Sequence, residues 1–292
     1  MNIKALSSHK NNETKSSVLY VVGTPIGNLG DLSFRAINIL KNVSLIACED
    51  TRQTKKILNK YDFKNNLISF NEHNSQNKSP IIINELNSGK SVALVSDAGM
   101  PSICDPGEEL IKEVKSNEIE VICIPGPCAA LTALVASGLP SSKFIFQGFL
   151  PKKKSEREKI LLELSKSEKT TVLYESPLRL KKLLLELREY LGGEREIHIS
   201  RELTKKFEEH IGSTIKEDIE YLNGREVLGE ITVVIKGKNK IKRDSIIDQF
   251  KLKRELIDLI NAGLSLSKAS KYLAKKNNLT KSIIYNMYSD SN

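Results

Sequence analysis

An alternation in the first half of the chain restricts the fold more than any other feature. Short runs rich in β-branched residues, VLYVV (18–22), SLIAC (44–48), LISF (67–70), SVALVS (91–96) and EVICI (120–124), are separated by helical patterns at 32–41, 51–60, 78–88, 106–116 and 127–137. Each run suits a strand and is too short for a core helix. Strands joined through helices run parallel, because the crossover returns the chain to the same end of the sheet. A parallel sheet needs both faces covered, so the pattern predicts an α/β layered domain. Asp31 or Ser33 can cap the first helix, and Asp105 with Pro106 marks the start of the fourth.

The alternation breaks at SGLPSSKFIFQGFLPKKKSER (137–157), which reads as a linker entering a second domain. Strands follow at 143–147, 170–175, 195–200, 208–213 and 228–235, with helices at 156–166 and 177–190. The segments FEEHIGST and EVLGEITVVIKG are expected to pair with each other, giving an α/β domain with an antiparallel portion. The expected division is a flexible 1–17, an α/β domain at 18–137, a second at 138–240, and a basic helical tail at 241–292. In the tail, Ile246, Ile247, Phe250, Leu256, Ile257 and Ile260 fall on one helical face. A second helix, a turn at 277–279 and a third helix follow, which resembles a helix-turn-helix.

Charge separates this tail from the rest. From Lys236 onward there are 13 Lys and Arg against 5 Asp and Glu, which accounts for nearly all of the net +9. A basic appendage on a neutral body points to a polyanion such as nucleic acid, and a helical cap packed on the body is the equal alternative. No apolar stretch approaches the roughly 18–20 residues of a membrane span. The N-terminus lacks the apolar core of a secretion signal, so a cytoplasmic location without membrane contact is expected. Cys48, Cys104, Cys123 and Cys128 form no C-x-x-C pair, and the four histidines have no ligand spacing, so no metal is expected.

Three glycine-bearing loops carry the chemistry. In GTPIGNLGDLSFRA, Gly23, Gly27 and Gly30 follow the first strand with G-x-x-x-G-x-x-G spacing, which is neither the dinucleotide fingerprint nor a Walker loop. SDAGMPSICDPG (96–107) and PGPCAA (125–130) likewise each follow a strand and open a helix. Loops at the carboxyl ends of parallel strands meet at one crevice, where open α/β folds bind ligands.

These segments, with CEDTRQTKKIL, FIFQGFLPKKKSER, YESPLRL and SRELTKKFEEHIGST, closely resemble the ribosomal RNA small subunit methyltransferase I family over about residues 18–237. The resemblance implies a tetrapyrrole-methylase-like (class III) fold of two α/β domains, with a cleft that holds S-adenosylmethionine folded between them. It implies 2′-O-methylation of a cytidine ribose in the decoding region of 16S ribosomal RNA, within the small ribosomal subunit, and leaves a homodimer open. Cys104 and Cys128 stand where the family usually has serine, and Leu178 where it usually has histidine.

By the same resemblance, Asp97, Ala98, Gly99, Met100, Pro127, Cys128, Ala129, Tyr174, Glu175, Leu203 and Thr204 should contact the cofactor. The 23–30 loop, with Gly23, Pro25, Gly27 and Asn28, is expected on the RNA side, with Arg35 and Lys55 adding positive charge. Glu49, Asp50, Arg52 and Lys205 are the catalytic candidates, none singled out as a base. A precorrin or diphthine-type methylase, or a non-catalytic RNA-binding protein, are the rival readings. The basic tail and Glu49-Asp50-Thr51-Arg52 argue against the first pair, and the intact cofactor loops against the third.

Overall fold

The computed structural model describes residues 14–239, 249–277 and 279–289. The expected flexibility before residue 14, and the places of Ile246 and Ile247, lie outside the described residues. Two compact units partition the chain, divided between Lys238 and Asn239.

The first unit contains two sheets. Strands β1 (Val18–Val22), β2 (Leu45–Cys48), β3 (Leu67–Ser69), β4 (Val92–Val95) and β5 (Glu120–Ile124) form one in the order β3-β2-β4-β1-β5, with every pairing parallel. Helices α1 (Phe34–Asn42), α2 (Thr51–Lys60), α3 (Ser75–Asn87), α4 (Glu108–Ser116) and α5 (Ala129–Ala136) follow these strands in turn. Consecutive residues of β1 serve opposite cores: Tyr20 and Val22 pack with α1 and α2 residues such as Ile39 and Ile57, while Leu19 packs with Ile82 and Leu110 from α3 and α4. That alternation buries all five residues of β1 and explains its unbroken apolar sequence. Ser33 caps α1 by accepting from Ala36 N at 3.1 Å. Helix α4 starts later than Asp105 and Pro106 suggest, with Gly107 at its N-cap.

The second sheet is mixed. Strands β6 (Phe144–Phe149), β7 (Thr170–Glu175), β8 (Glu196–Arg201), β9 (Glu209–Thr214) and β10 (Ile231–Ile235) lie in the order β6-β7-β10-β8-β9, and only β6 and β7 are parallel. The expected pairing of β9 with β10 is wrong, because β8 lies between them and is antiparallel to both. Helices α6 (Lys154–Lys166), α7 (Pro177–Leu191) and α8 (Ile215–Tyr221) belong to this half, and a leucine-rich cluster including Leu161, Leu183 and Ile215 covers one face. The sequence reading missed α8 although its capping box, Thr214 with Glu217, is written in the chain.

Asp218 in α8 is a buried carboxyl, 2% exposed. Ser213 Oγ donates to its Oδ1 at 2.9 Å, and burial pushes its pKa up to about 6. The unfolded value is about 3.9, so folding favours the protonated form. Stability from this group is full below pH ~4 and is lost as pH rises through 6. Asp218→Asn is therefore expected to raise the melting temperature at pH 8 by roughly 5 °C, from about 2 kcal/mol, and to change it little at pH 4.5. Thermal scans at the two pH values check this.

The second unit holds α9 (Gln249–Asn261), α10 (Leu266–Asn277) and α11 (Lys281–Ser289) around a core of its own, with Leu252, Leu256, Ala269, Leu273 and Ile284 buried together. Leu252 takes the inward position expected of Ile257, which is 39% exposed. The expected turn after residue 277 separates α10 from α11.

Candidate active site

The first sheet reverses its order between β4 and β1, and ligands of α/β folds bind beyond the strand ends at such a point. There the loops after β1 and β4 are tied together. Thr24 N donates to Gly99 O at 2.9 Å and Gly99 N to Thr24 O at 3.1 Å. The loop after β5 crosses directly over the first: a β carbon on Gly126 would sit 2.8 Å from Gly23 Cα, a clash with main chain. Beyond that crossing, Asn28 N donates to Thr204 Oγ1 at 2.9 Å, and a β carbon on Gly27 would lie 3.0 Å from Leu203 O. The 23–30 segment is thus a strap from the first sheet to the turn after β8, and Gly23 and Gly27 serve close backbone approach.

Behind the strap, a cavity of about 380 Å³ opens between the loops and the second sheet. Of the residues the sequence proposes as cofactor contacts, Ala98, Gly99, Met100, Cys128, Ala129, Tyr174, Glu175 and Leu203 line it. Asp97, Pro127 and Thr204 do not line it, and neither do Gly23, Pro25, Gly27, Asn28, Arg35, Lys55 or the catalytic candidates. Ile26 is the strap residue that does. Sequence reasoning missed Asp105, Phe149, Ser200 and Thr232, which also line the cavity. Asp105, Phe149 and Ser200 lay inside recognised motifs and Thr232 in an expected strand, but only the fold reveals which strand faces turn inward.

Two wall residues are held by partners of their own. Tyr174 OH accepts from Ala130 N at 3.2 Å, at the start of α5, and its ring packs edge-on to Phe146 with centroids 5.1 Å apart. Burial pushes the phenol pKa up, so it stays protonated. The Glu175 carboxylate is fully buried, takes hydrogen bonds from Ser176 N at 2.8 Å, and pairs with Arg179 at 2.7 Å. Arg157 stands 3.6 Å from its other oxygen.

The catalytic candidates separate by charge state. Asp50 caps α2 and forms a forked pair with Arg52, whose Nη2 lies 2.6 Å from Oδ2. That pair lowers the Asp50 pKa to about 2, while the Arg52 side chain remains 86% exposed. Asp50 N donates to Asp97 Oδ1 at 2.9 Å, joining the ends of β2 and β4. Burial, then the neighbouring Asp97 and Asp105, pushes Glu49 up from the usual carboxylate range, and burial raises Asp97 and Asp105 too. Lys205 is locked between Glu202 at 2.8 Å and Glu230 at 3.1 Å. Burial opposes its charge, but these carboxylates outweigh it and raise the pKa, so Lys205 supplies a fixed cation rather than a base. Arg35, on α1, lies within electrostatic reach of Tyr20 and Cys123, and Lys55, on α2, within reach of Cys48.

The cavity is chemically mixed and of a size that ligands occupy, roughly 300–1,000 Å³. Ile26, Phe149 and Leu203 give it apolar walls; Asp105, Ser200, Thr232 and the start of α5 give it polar ones. Gly99, at φ +84°, keeps main chain at the wall without a side chain. No helix of the described residues is long and apolar enough to cross a membrane.

Residues 18–218 match the family model for tetrapyrrole (corrin/porphyrin) methylases. A Bacillus subtilis protein named ribosomal RNA small subunit methyltransferase I is 43% identical over 281 residues, covering 95% of this chain and 96% of its own. A Thermotoga maritima protein of the same name is 48% identical over 220 residues, 75% of this chain and 98% of that one. Among solved structures, a cobalt precorrin-4 methyltransferase aligns with a TM-score of 0.59 at 15% identity, over 75% of this chain and 95% of that one. A Thermus thermophilus uroporphyrin-III C-methyltransferase, complexed with S-adenosylhomocysteine, aligns at 0.52 with 15% identity, over 74% and 96%. The solved structures share the fold, while the Bacillus relative aligns nearly end to end at 43% identity: the chain belongs to the ribosomal RNA small subunit methyltransferase I family of tetrapyrrole-methylase-like enzymes.

Proposed function

We propose that this protein transfers a methyl group from S-adenosylmethionine to the ribose 2′-hydroxyl of a cytidine in the decoding region of 16S ribosomal RNA, acting in the cytoplasm on the small subunit. The observation that carries the reading is near-full-length identity to proteins named for small-subunit ribosomal RNA methylation. The residues around the cavity fit the cofactor, which supplies an electrophilic methyl when bound. Gly99, Met100, Cys128 and Ala129 would hold it from the first sheet, with Tyr174, Leu203 and Thr232 from the second and Asp105 as an added polar contact.

Transfer to a hydroxyl gains most from alignment and exclusion of water. The strap and the 202–205 turn would enclose the cavity for that purpose. Glu49, whose pKa is raised by burial and by neighbouring carboxylates, suits proton acceptance better than Asp50, which Arg52 holds ionised. Arg52 would grip a substrate phosphate, with Lys205, Arg35 and Lys55 adding charge. Phe34, 93% exposed at the first position of α1, offers a ring for a base to stack on. Comparing methyl transfer to naked 16S RNA with transfer to assembled small subunits tests the substrate form; transfer to neither would contradict the reading.

The second unit would contribute RNA affinity, since most of the charge surplus lies there. Deleting 239–292 is expected to raise the RNA concentration needed for half-maximal rate several-fold, and to flatten the salt dependence of binding. Filter binding across a salt series checks this. An unchanged slope would assign the unit to another task.

A further inference from the structure

A line of polar side chains runs outward from the cavity wall, and none of the roles above uses it. Ser200, 1% exposed, lines the cavity. Directly across the β8–β9 pairing stands His210, with Nδ1 3.3 Å from Ser200 Oγ. His198 Nε2, from the same face of β8, lies 3.1 Å from that Nδ1. On its other side, His210 Nε2 lies 2.8 Å from Glu208 Oε1. Glu208 Oε2 accepts from Thr204 N at 2.6 Å, and Thr204 Oγ1 accepts the strap's Asn28 N.

The chemistry of each group fixes where the hydrogens sit. An ionised carboxylate only accepts, so His210 Nε2 carries the hydrogen that meets Glu208. In the neutral ring Nδ1 is then an acceptor, taking hydrogen from the Ser200 hydroxyl and from His198 Nε2. In that state Ser200 presents only lone pairs to the cavity. A second proton on His210 reverses this. Nδ1 becomes a donor, the Ser200 hydroxyl hydrogen is released toward the cavity, and a positive charge stands directly behind the wall. Burial, and then His210 itself, lowers the His198 pKa, whereas His210 Nε2 faces the Glu208 carboxylate.

We propose that His210, acting through Ser200, is a positioning residue that makes the cavity discriminate between the positively charged sulfonium cofactor and its neutral demethylated product. With His210 neutral, the acceptor wall favours the cationic ligand; with His210 protonated, both the donor wall and the added charge oppose it. The inference rests on the cavity being the cofactor site. Facing His210 are Ser200 and His198 from β8 and Glu208 from its own segment, while Glu209 with Arg201 and Arg225 occupies a separate ion-pair group. Asp105, Glu175 and Glu230 also line the cavity, so the test must separate their titration from that of His210.

The experiment is calorimetric titration of S-adenosylmethionine and S-adenosylhomocysteine at pH 8.0 and 5.5, the interval in which histidines change charge. In the wild-type protein, affinity for S-adenosylmethionine is expected to fall about fivefold more than affinity for S-adenosylhomocysteine on acidification, as one unit charge acting across a single side chain allows. In His210→Gln, an exposed edge-strand position, that differential should vanish while both ligands still bind. By reciprocity, S-adenosylmethionine should shift the nuclear magnetic resonance titration of the His210 ring to lower pH, and S-adenosylhomocysteine should not. A differential that persists in His210→Gln, or its absence in the wild type, would overturn the relay and leave the cavity assignment intact. Failure of both ligands to bind would overturn the cavity assignment and the relay with it.

Discussion

Gly126→Ala is expected to lower affinity for S-adenosylmethionine more than tenfold and to drop the melting temperature by several degrees. The added methyl would meet Gly23 main chain at 2.8–2.9 Å, and main chain cannot swing aside as a side chain can. Relief requires the loops after β1 and β5 to separate. Separation moves Cys128 and Ala129 at the cavity wall and strains the Thr24–Gly99 hydrogen bonds. Overpacking of this kind costs about 1–3 kcal/mol in stability. A displacement of about 1 Å at a binding wall is enough for a large loss of function. Gly193→Ala is the matched control, since its β carbon would make only an ordinary contact with Lys216 Cβ at 3.4 Å. Calorimetry and thermal scans on the two variants check the prediction; equal affinities would show that the strap crossing does not shape the cavity.

Arg52→Lys should reduce methyl transfer about tenfold while leaving the melting temperature and cofactor affinity near wild type. The guanidinium is exposed and its only described partner is Asp50, and exposed ion pairs contribute about 0–1 kcal/mol. The fold therefore has little to lose. Lysine keeps the charge but loses the planar fork that grips a carboxylate and a phosphate together. One such contact is worth about 1.5 kcal/mol, close to a factor of ten in rate. Steady-state kinetics beside thermal scans separate the two outcomes. A variant that melts early, with activity restored on cooling, would mean that Arg52 holds the fold instead.

The layered first sheet was legible because burial on both faces leaves a mark in its central strands: VLYVV has no polar residue to spare. Loop convergence was legible for a related reason, since parallel strands put their carboxyl ends on one side. The place of β8 between β9 and β10 was not. Both segments read as strands, but neither carries a signal for its neighbour, and β8 inserts between them. Ser200 and Phe149 sat inside motifs and Thr232 in an expected strand, yet none was singled out, because only the sheet order turns them toward the cavity. The motifs located most of the cavity wall but carried no information about protonation. Only the neighbours of Lys205 exclude it as a base, and only the surroundings of each carboxyl explain why the Asp50 pKa is lowered and that of Glu49 raised.

The central claim is ribose methylation of small-subunit RNA, and the product nucleoside tests it most directly. The purified protein would be incubated with isotopically labelled S-adenosylmethionine and small subunits lacking the modification. The RNA is then digested to nucleosides and resolved by mass spectrometry. The account predicts label in 2′-O-methylcytidine, from a single position in the decoding region. Label on a base, label in protein alone, or none in RNA despite cofactor binding would contradict it.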